Sequence, residues 1–286
     1  MILRQSQIDL FMQCPLKYRY THVDKVPQEQ SCALTFGTLI HAAIQIMEEQ
    51  DSLDAGLDMF KDAWADPEKY DPELKIDYFL PRRTPASYLA QAENLMTKWK
   101  HEFDWDPDQI IAREHQFTVP LGDSGHHLTG TVDRLALRYS PRLNRQVVVV
   151  QDYKTNKKKP AYDYLRQNIQ LTAYSYASEQ PEFWESLPDG QHIFEQVSDI
   201  GRETEWIWLM GPARLDGGER NANDYARLMM AVQAMTESID WGIYMPDISG
   251  ATCTFCEFRG PCGIETIEDE GYMERVAPRL YDAIKR

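Results

Sequence analysis

Apolar residues recur every three or four positions in several parts of the chain, which is the period of an amphipathic helix. We predict helices where this period is clearest: residues 6–14, 37–50, 162–179 and 223–241. Ser6 and Asp9 have the spacing of a capping box that would open the first of them. Between residues 51 and 108 the helical period is broken by five prolines, so this segment is predicted to be an irregular helical insertion.

Other segments alternate between apolar and polar residues or are rich in β-branched residues, which is typical of strands. These predicted strands are residues 110–119, 127–137, 146–152 and 205–210. The third contains consecutive valines at 147–150, as a buried central strand needs. The order of helix, strands, helix and strand, with helical flanks, predicts a mixed α/β sheet with one helical insertion.

Length and composition are those of a folded protein. The 286 residues, 43% of them hydrophobic, are enough for one large domain or for two small ones. The net charge of −15 argues against a protein that coats nucleic acid with its whole surface, so a nucleic-acid site would need local positive charge. No apolar run is long enough to span a bilayer and no signal peptide is visible, which predicts a cytoplasmic protein without a membrane partner.

Two acidic residues and a lysine lie in predicted strands. Asp133 is at the middle of the second strand, and Asp152 and Lys154 are at the end of the valine-rich strand. Residues two apart in a strand face the same side, so Asp152 and Lys154 project together and Tyr153 faces away. Carboxylates can hold Mg²⁺ or Mn²⁺ for phosphodiester hydrolysis, and a lysine can stabilise the developing negative charge. An isolated Asp-x-Lys, however, is more often a surface salt bridge.

Three further residues indicate a functional site only in combination with this acidic pair. His41 lies among apolar residues of the predicted helix 37–50, and alone it would be interpreted as a structural histidine. Gln170 and Tyr174 are four residues apart on a later helix and therefore share one face. Alone they are two residues of an amphipathic helix, so the order of all the motifs along the chain carries the interpretation.

The order of these motifs resembles that of the RecB-type nucleases of the PD-(D/E)xK superfamily. The matching motifs are Gly-x-x-x-His at 37–41, Gly-x-x-Asp-Arg at 130–134, Asp-x-Lys-Thr at 152–155 and Gln-x-x-x-Tyr at 170–174. The resemblance implies a restriction-endonuclease-like α/β fold, with a mixed sheet core flanked by helices. It implies a single nuclease domain over 1–286, with a helical insertion at 51–108, the nuclease core at 109–210 and a C-terminal cysteine segment at 242–286.

The resemblance also implies a metal site. Asp133 and Asp152 would bind the catalytic Mg²⁺ or Mn²⁺, with the Tyr153 carbonyl as a further ligand. His41 would be an additional ligand, which often accompanies a preference for Mn²⁺. Glu114, on the preceding strand, is either an aid to this site or a solvated strand charge, and the sequence leaves both interpretations open.

Five cysteines are present, and in a reducing compartment clustered cysteines are more often metal ligands than disulfides. Cys253, Cys256 and Cys262 form a C-x₂-C-x₅-C group that needs a fourth ligand, for which Cys14 is favoured and Cys32 is the alternative. Four thiolates suit a [4Fe–4S] cluster or zinc, although zinc sites usually use two local pairs. The arrangement resembles the iron–sulfur module of AddB-type and CRISPR-associated RecB-like exonucleases, which implies a cluster joining Cys14 to the C-terminal segment.

Positive charge is concentrated in one segment of the chain. Residues 134–159 contain eight basic residues and one acidic residue. The residues predicted to contact DNA phosphates are Arg134, Lys157, Lys158 and Lys159. The alternative for the three lysines is a solvated loop.

Together these patterns predict a divalent-metal-dependent DNA exonuclease that hydrolyses phosphodiester bonds from single-stranded or frayed ends. The resemblance implies that Lys154 takes part in catalysis directly, and that Gln170 and Tyr174 position the DNA backbone or the catalytic groups. The alternative is a non-catalytic nucleic-acid-binding or assembly subunit that keeps the nuclease fold. No phosphate-binding loop of a helicase is visible, so unwinding would need a helicase, recombination or CRISPR partner, and an oligomer is compatible with the sequence.

Overall fold

The structure, a computed structural model, describes residues 1–103, 108–156, 158–247, 253 and 256–262. Its strands are β1 (Ile2–Arg4), β2 (Gln109–Pro120), β3 (His127–Ser140), β4 (Arg145–Lys154), β5 (Gly201–Trp208) and β6 (Ala213–Glu219). Its helices are α1 (Gln5–Gln13), α2 (Pro15–Tyr18), α3 (Cys32–Glu49), α4 (Leu53–Ala65), α5 (Pro67–Tyr70), α6 (Pro85–Phe103), α7 (Tyr162–Gln167), α8 (Ile169–Ser178), α9 (Pro181–Trp184), α10 (Gly190–Val197), α11 (Ala222–Trp241) and α12 (Arg259–Cys262), with a π-helical segment at Arg19–Val23. None of the helices in these ranges is both long and apolar enough to cross a membrane.

The chain forms two compact units. The first comprises residues 1–28, 118–130 and 221–286, and the second comprises residues 29–117 and 131–220. The residues predicted to bind the catalytic metal all fall in the second unit, whereas the four cysteines predicted to bind a cluster all fall in the first. The single nuclease domain over 1–286 stays a prediction.

A six-stranded mixed sheet has the order β1-β3-β4-β5-β6, with β2 paired to β3. β1 and β3 are parallel, β3 and β4 antiparallel, β4 and β5 parallel, and β5 and β6 antiparallel. The sheet and its flanking helices confirm the predicted α/β class and are consistent with a restriction-endonuclease-like core. All four predicted strands are present, and the structure adds β1 and β6.

The second unit is built around β4, whose valines at 147–150 are fully buried. On one face of the sheet, Tyr153 and Ile207 pack into an apolar cluster with α3, α4 and α6. On the other face, Trp206 packs with apolar residues of α7 and α8. Because burial of a large apolar side chain contributes about 1.5–3 kcal/mol, these two layers hold the end of β4 between them.

Two of the helices that differ from the predicted ones do so at a polar contact. The predicted helix over 162–179 is interrupted at Asn168, whose side chain accepts a hydrogen bond from the Leu171 N–H at 2.9 Å and caps α8. The first helix begins at Gln5, so Ser6 lies inside it and is not its N-cap. In both cases a local polar contact decides the boundary, which hydrophobic periodicity cannot locate.

Strand β6 includes two consecutive glycines, Gly217 and Gly218. Its pairing with β5 shifts register between Thr204 and Glu205. At that irregularity Gly218 has a φ of 74°, a conformation that other residues rarely adopt. The glycines therefore serve a β-bulge within a strand rather than ending it.

In the first unit, the N-terminal helices pack against the C-terminal part of the described chain. Lys17 forms an ion pair with Glu257 at 3.0 Å. The Tyr20 hydroxyl donates a hydrogen bond to the Pro261 carbonyl, also at 3.0 Å, and its ring lies 5.3 Å from that of Phe258. These contacts hold the segment between Cys256 and Cys262 against the N-terminal helical segments.

A buried ionic network connects β3, β5 and β6. The side chain of Asp108 has no exposed surface, and it accepts hydrogen bonds from Arg138 at 2.5 and 2.7 Å and from Arg214 at 3.0 Å. Glu205 lies 2.7 Å from Arg138 and 2.6 Å from Arg214. Burial by itself would raise the pKa of Asp108, but the two guanidinium groups outweigh it and lower that pKa. The fold therefore stabilises the charged carboxylate.

We expect Asp108→Asn to lower the free energy of unfolding by about 3 kcal/mol near neutral pH, because two partly buried arginines lose a charged partner. The pKa of Asp108 is lower in the folded state, so this contribution is present above a pH of about 4 and is lost as the pH falls below it. Urea unfolding of both proteins as a function of pH measures the effect. The exposed Asp58→Asn serves as the control, and a difference that does not shrink in acid would contradict the assignment.

Candidate active site

Asp133 and Asp152 lie just beyond the point where the pairing of the antiparallel strands β3 and β4 ends. The pairing of β3 with β4 runs as far as Arg134 opposite Gln151, immediately before these carboxylates. Beyond that pair, the Tyr153 backbone N–H donates a hydrogen bond to Asp133 Oδ2 at 2.5 Å. A side chain thus takes the place of the next ladder contact, and the Asp133 carboxylate is held firmly against β4.

Asp152 belongs to a hydrogen-bonded group with Lys154 and α8. Lys154 Nζ lies 2.5 Å from Asp152 Oδ2, and Gln170 Nε2 donates to Asp152 Oδ1 at 2.9 Å. Lys154 Nζ donates to Gln170 Oε1 at 2.9 Å, and Gln170 Nε2 lies 3.1 Å from the Tyr174 hydroxyl. The structure therefore brings together the Asp-x-Lys pair and the two residues of α8 that the motif order singled out.

A second group of side chains has the geometry of metal ligands. Among the described residues, His41, Glu114 and Asp133 each offer one ligand atom within 4.8 Å of the other two. His41 Nδ1 is 3.6 Å from Asp133 Oδ1. The sequence left the role of Glu114 open, and the structure groups it, rather than Asp152, most closely with His41 and Asp133.

The backbone of Glu114 explains how it reaches this group. Its φ is 44°, although it lies within β2 and is not a glycine. Such a conformation costs on the order of 1–3 kcal/mol, and a local irregularity of this kind re-aims a side chain from a strand. No periodic pattern in the sequence signals the change of direction.

The charges of the two groups are strongly coupled. Burial, with the neighbouring Asp133 acting in the same direction, raises the pKa of Glu114 to about 7. Burial also raises the pKa of Asp152 to about 6, with Lys154 opposing and Asp133 adding to that shift. Neighbouring buried carboxylates repel one another when both are ionised, which raises their pKa values. A divalent cation bound between them would neutralise this negative charge, so these residues fit a bound metal.

Asp133 and Lys154 keep their charges despite burial. Burial alone would raise the pKa of Asp133, but His41 and the Tyr153 N–H outweigh it and lower that pKa. Burial alone would lower the pKa of Lys154, but Asp152 outweighs it and raises that pKa. The Lys154 ammonium also lies 5.0 Å from the centre of the Trp206 ring. The site thus holds a fixed positive charge beside a fixed carboxylate.

The basic segment 134–159 does not form one basic surface. Arg134 is only 4% exposed and lies 3.9 Å from Glu48, and this burial argues against the predicted contact with DNA. Three further arginines of the segment pair with carboxylates of β5 and β6: Arg138, Arg142 and Arg145. Lys158 and Lys159 are exposed, and Lys157 lies outside the described residues, so the three lysines stay predicted contacts.

The four cysteines predicted as cluster ligands line one small cavity of the first unit, with a volume of about 130 Å³: Cys14, Cys253, Cys256 and Cys262. The backbone N–H groups of Lys17 and Asp247 donate to Cys14 Sγ, each at 3.4 Å. Cys32 lies in the second unit, where it is fully buried and its thiol contacts the Tyr88 hydroxyl at 3.1 Å.

The spacing of the thiols also bears on the choice of metal. In tetrahedral zinc sites with Zn–S bonds of about 2.3 Å, the sulfur atoms lie about 3.8 Å apart. No three cysteine sulfurs in the described part of the chain lie within 4.8 Å of one another. The described thiols therefore do not lie at the spacing of a bound zinc ion, and the identity of the metal stays a prediction.

The chain matches a known nuclease family over most of its length. The family model described as "PD-(D/E)XK nuclease superfamily" covers residues 3–263. The chain belongs to the PD-(D/E)XK nuclease superfamily. This superfamily consists of nucleases that use divalent metals, which agrees with the His41, Glu114 and Asp133 group. The match does not distinguish the RecB-like iron–sulfur subtype, which stays a prediction.

No curated protein matches this superfamily member. Among solved structures, it is similar to one described as "Crystal structure of SSO0001", with 12% identity over 90% of this chain and 84% of that chain. The TM-score is 0.34, which is too low to carry an argument about fold or function. Membership of the superfamily therefore rests on the family match.

We expect Glu114→Gln to weaken Mn²⁺ binding at least tenfold, roughly the cost of disturbing a metal site, because it removes one charged ligand. Asp133→Asn should have a larger effect, since Asp133 keeps its charge in the folded protein. Isothermal titration with Mn²⁺ measures both. Glu93→Gln, on the exposed side of α6, is the matched control. Equal Mn²⁺ affinity in the Glu114→Gln variant and the wild type would remove Glu114 from the site.

Proposed function

We propose that this protein is a divalent-metal-dependent DNA exonuclease that hydrolyses phosphodiester bonds from single-stranded or frayed ends. One observation carries the proposal: Asp152, Lys154 and Gln170 are hydrogen-bonded together directly beside Asp133. A surface salt bridge, the alternative for an isolated Asp-x-Lys, would be exposed, whereas Asp152 is 2% exposed. The geometry supplies metal-type ligands and an ammonium at one place, as hydrolysis of a phosphodiester requires.

In this proposal Asp133, His41 and Glu114 hold Mg²⁺ or Mn²⁺, with Asp152 and the Tyr153 carbonyl as further ligands. When bound, the ion lowers the pKa of a coordinated water and neutralises charge on the phosphate. An imidazole among the ligands suits Mn²⁺ better than Mg²⁺, which prefers oxygen. The mixture of carboxylates and a histidine therefore favours Mn²⁺ as the more active cofactor.

The protein's own groups act on the charge that develops at the phosphate. Lys154 presents an ammonium that stays protonated because Asp152 lies beside it. Gln170 accepts a hydrogen bond from this ammonium and donates one to Asp152, so it fixes the relative position of the two. Tyr174 contacts Gln170 from the same helix face. Groups held in place before the substrate arrives need no reorganisation during the reaction.

The preference for DNA ends rests on the resemblance to RecB-type exonucleases and on the local charge. The exposed Lys158 and Lys159 follow directly after the Asp152–Lys154 motif. The net charge of −15 gives the chain as a whole little attraction for a polyanion, so local positive charge decides where a strand binds. We propose that these lysines contact the backbone of the strand that enters the site, and that duplex substrates need a helicase, recombination or CRISPR partner to open them.

We also propose that Cys14, Cys253, Cys256 and Cys262 hold a structural [4Fe–4S] cluster. The lining of one cavity by all four residues supports this. Hydrogen bonds from backbone N–H groups to Cys14 Sγ would also stabilise a thiolate. Joining residues 14 and 262 closes a long loop and so favours the folded chain.

Asp152→Ala should abolish cleavage of end-labelled single-stranded DNA, and Lys154→Ala should lower kcat by roughly 100-fold to 1,000-fold, as does loss of one group that stabilises the transition state. Chelation of the divalent metal should stop cleavage by the wild type. Lys61→Ala, an exposed lysine of α4, is the control and should cleave normally.

The outcomes of this assay separate the competing functions. Full cleavage by Asp152→Ala would make the assignment of the site wrong. A wild type that binds DNA but never cuts it would favour the non-catalytic subunit. Cleavage of circular single-stranded DNA, which has no ends, would contradict the exonuclease mode but would still support nuclease activity.

The anaerobically purified protein should be brown, with an absorption band at about 400 nm from thiolate-ligated iron and about four irons per chain. Cys14→Ser should lose both the colour and the iron. Cys32→Ser is the matched control and should keep both, because Cys32 is buried in the other unit. A colourless wild type that contains zinc would reject the cluster without affecting the nuclease assignment.

A further inference from the structure

The candidate active site opens into a cavity of about 970 Å³ in the second unit. His41, Glu114 and Lys154 line it from the nuclease core, whereas Tyr70 and Arg83 line it from the helical insertion. The volume is at the upper end of the range for ligand sites. The metal and catalytic groups account for the core side of this cavity, and they leave the insertion side without a role.

Arg83 is the basic residue on the insertion side. Its guanidinium lies 4.2 Å from the centre of the Tyr88 ring and donates a hydrogen bond to Gln91 Oε1. Its Nε is buried and has no hydrogen-bond partner among the described residues. No carboxylate in the described ranges forms an ion pair with it. Arg83 therefore has donors and a full positive charge that the protein leaves uncompensated.

Several other arginines do have a carboxylate partner. Acidic residues outnumber basic ones by 45 to 30, and Arg113, for example, pairs with Glu48 at 2.5 Å. A partly buried donor without a partner is unfavourable by about 1–3 kcal/mol. A guanidinium left in this state is suited to an anion from outside the protein, and its planar fork matches the oxygens of a phosphate.

The position of Arg83 is also fixed in advance. Tyr88 lies beneath the guanidinium, and the Tyr88 hydroxyl is in turn contacted by the buried Cys32 thiol at 3.1 Å. Gln91, one turn further along α6, holds the guanidinium from the side. Because the side chain is already ordered, binding an anion costs little conformational entropy.

We infer that Arg83 binds a non-scissile phosphate of the substrate strand, so that the helical insertion forms one wall of the substrate-binding site. This inference rests on the proposed nuclease function, because the cavity is the one that Lys154 lines. The remaining polar lining includes the acidic Asp71 and several neutral side chains that suit sugar and phosphate oxygens, among them Thr38, Gln45, Gln116 and Asn156. Arg83 is a positioning residue, because the scissile phosphate would contact Lys154 and the metal group instead.

Arg83→Gln tests this inference through binding. We measure the Kd of fluorescein-labelled oligothymidylate by anisotropy, in Ca²⁺ and on a Lys154→Ala background so that the strand stays intact. The Kd should rise about tenfold, and the slope of log K against log salt should become shallower by about 0.7, the value for one phosphate of a single strand. Arg83→Lys should keep the slope and recover part of the affinity, because it keeps the charge and loses the fork.

The neighbouring Arg82→Gln is the matched control. Arg82 is exposed and does not line the cavity, so its Kd and salt slope should equal those of the parent. In the cleaving background, Arg83→Gln should raise KM with little change in kcat, because the contact is equally strong before and during the reaction. If Arg83→Gln leaves the Kd and the salt slope unchanged while the wild type still cleaves DNA, the inference about Arg83 is wrong and the proposed nuclease function stands. A wild type that binds but does not cleave would overturn the proposed function instead.

A second measurement separates phosphate binding from a role in folding. A single neutral methylphosphonate linkage is moved along the oligonucleotide, and the Kd is measured for the parent and for Arg83→Gln. At one position the neutral linkage should weaken the parent and leave Arg83→Gln unaffected, since the two changes remove the same contact. If every neutral linkage weakens both proteins equally, Arg83 contacts no phosphate and only braces α6.

Discussion

The hydrogen bond from the Tyr153 N–H to Asp133 Oδ2 is the contact on which the site depends. It holds β3 against β4 at the point where their ladder ends, and it uses one oxygen of Asp133 so that the other faces His41. The same backbone position turns Asp152 and Lys154 toward α8 and the Tyr153 ring toward α3 and α6. One backbone contact thus relates the catalytic group, the metal group and the apolar core.

The site is assembled at the expense of local stability, and the surrounding core compensates for it. Glu114 adopts a strained φ of 44°, and its pKa is raised to about 7, mainly by burial. The apolar cluster that holds α3, and with it His41, also includes residues of α4 and α6. The helical insertion is therefore part of the support of the active site, and through Arg83 we assign it a part in binding the substrate as well.

Each of the two units is built from segments that are distant along the chain. Closing such loops costs entropy, which contacts between the segments must offset. In the first unit the Lys17–Glu257 and Tyr20–Pro261 contacts contribute, and the proposed cluster would add covalent links at the same place. In the second unit the apolar layers on both faces of β4 fulfil this role.

The α/β class, the four strands of the core and the common face of Asp152 and Lys154 could be predicted from the sequence, because these follow from local periodicity and from the order of motifs. The folded structure was needed to show that Glu114 joins His41, that Arg134 is buried near Glu48, and that β6 is a strand. Each of those depends on a backbone irregularity or on a partner distant along the chain. A charge on a strand looks the same in sequence whether solvent, a carboxylate or a metal lies opposite it, and only folding brings that partner into contact.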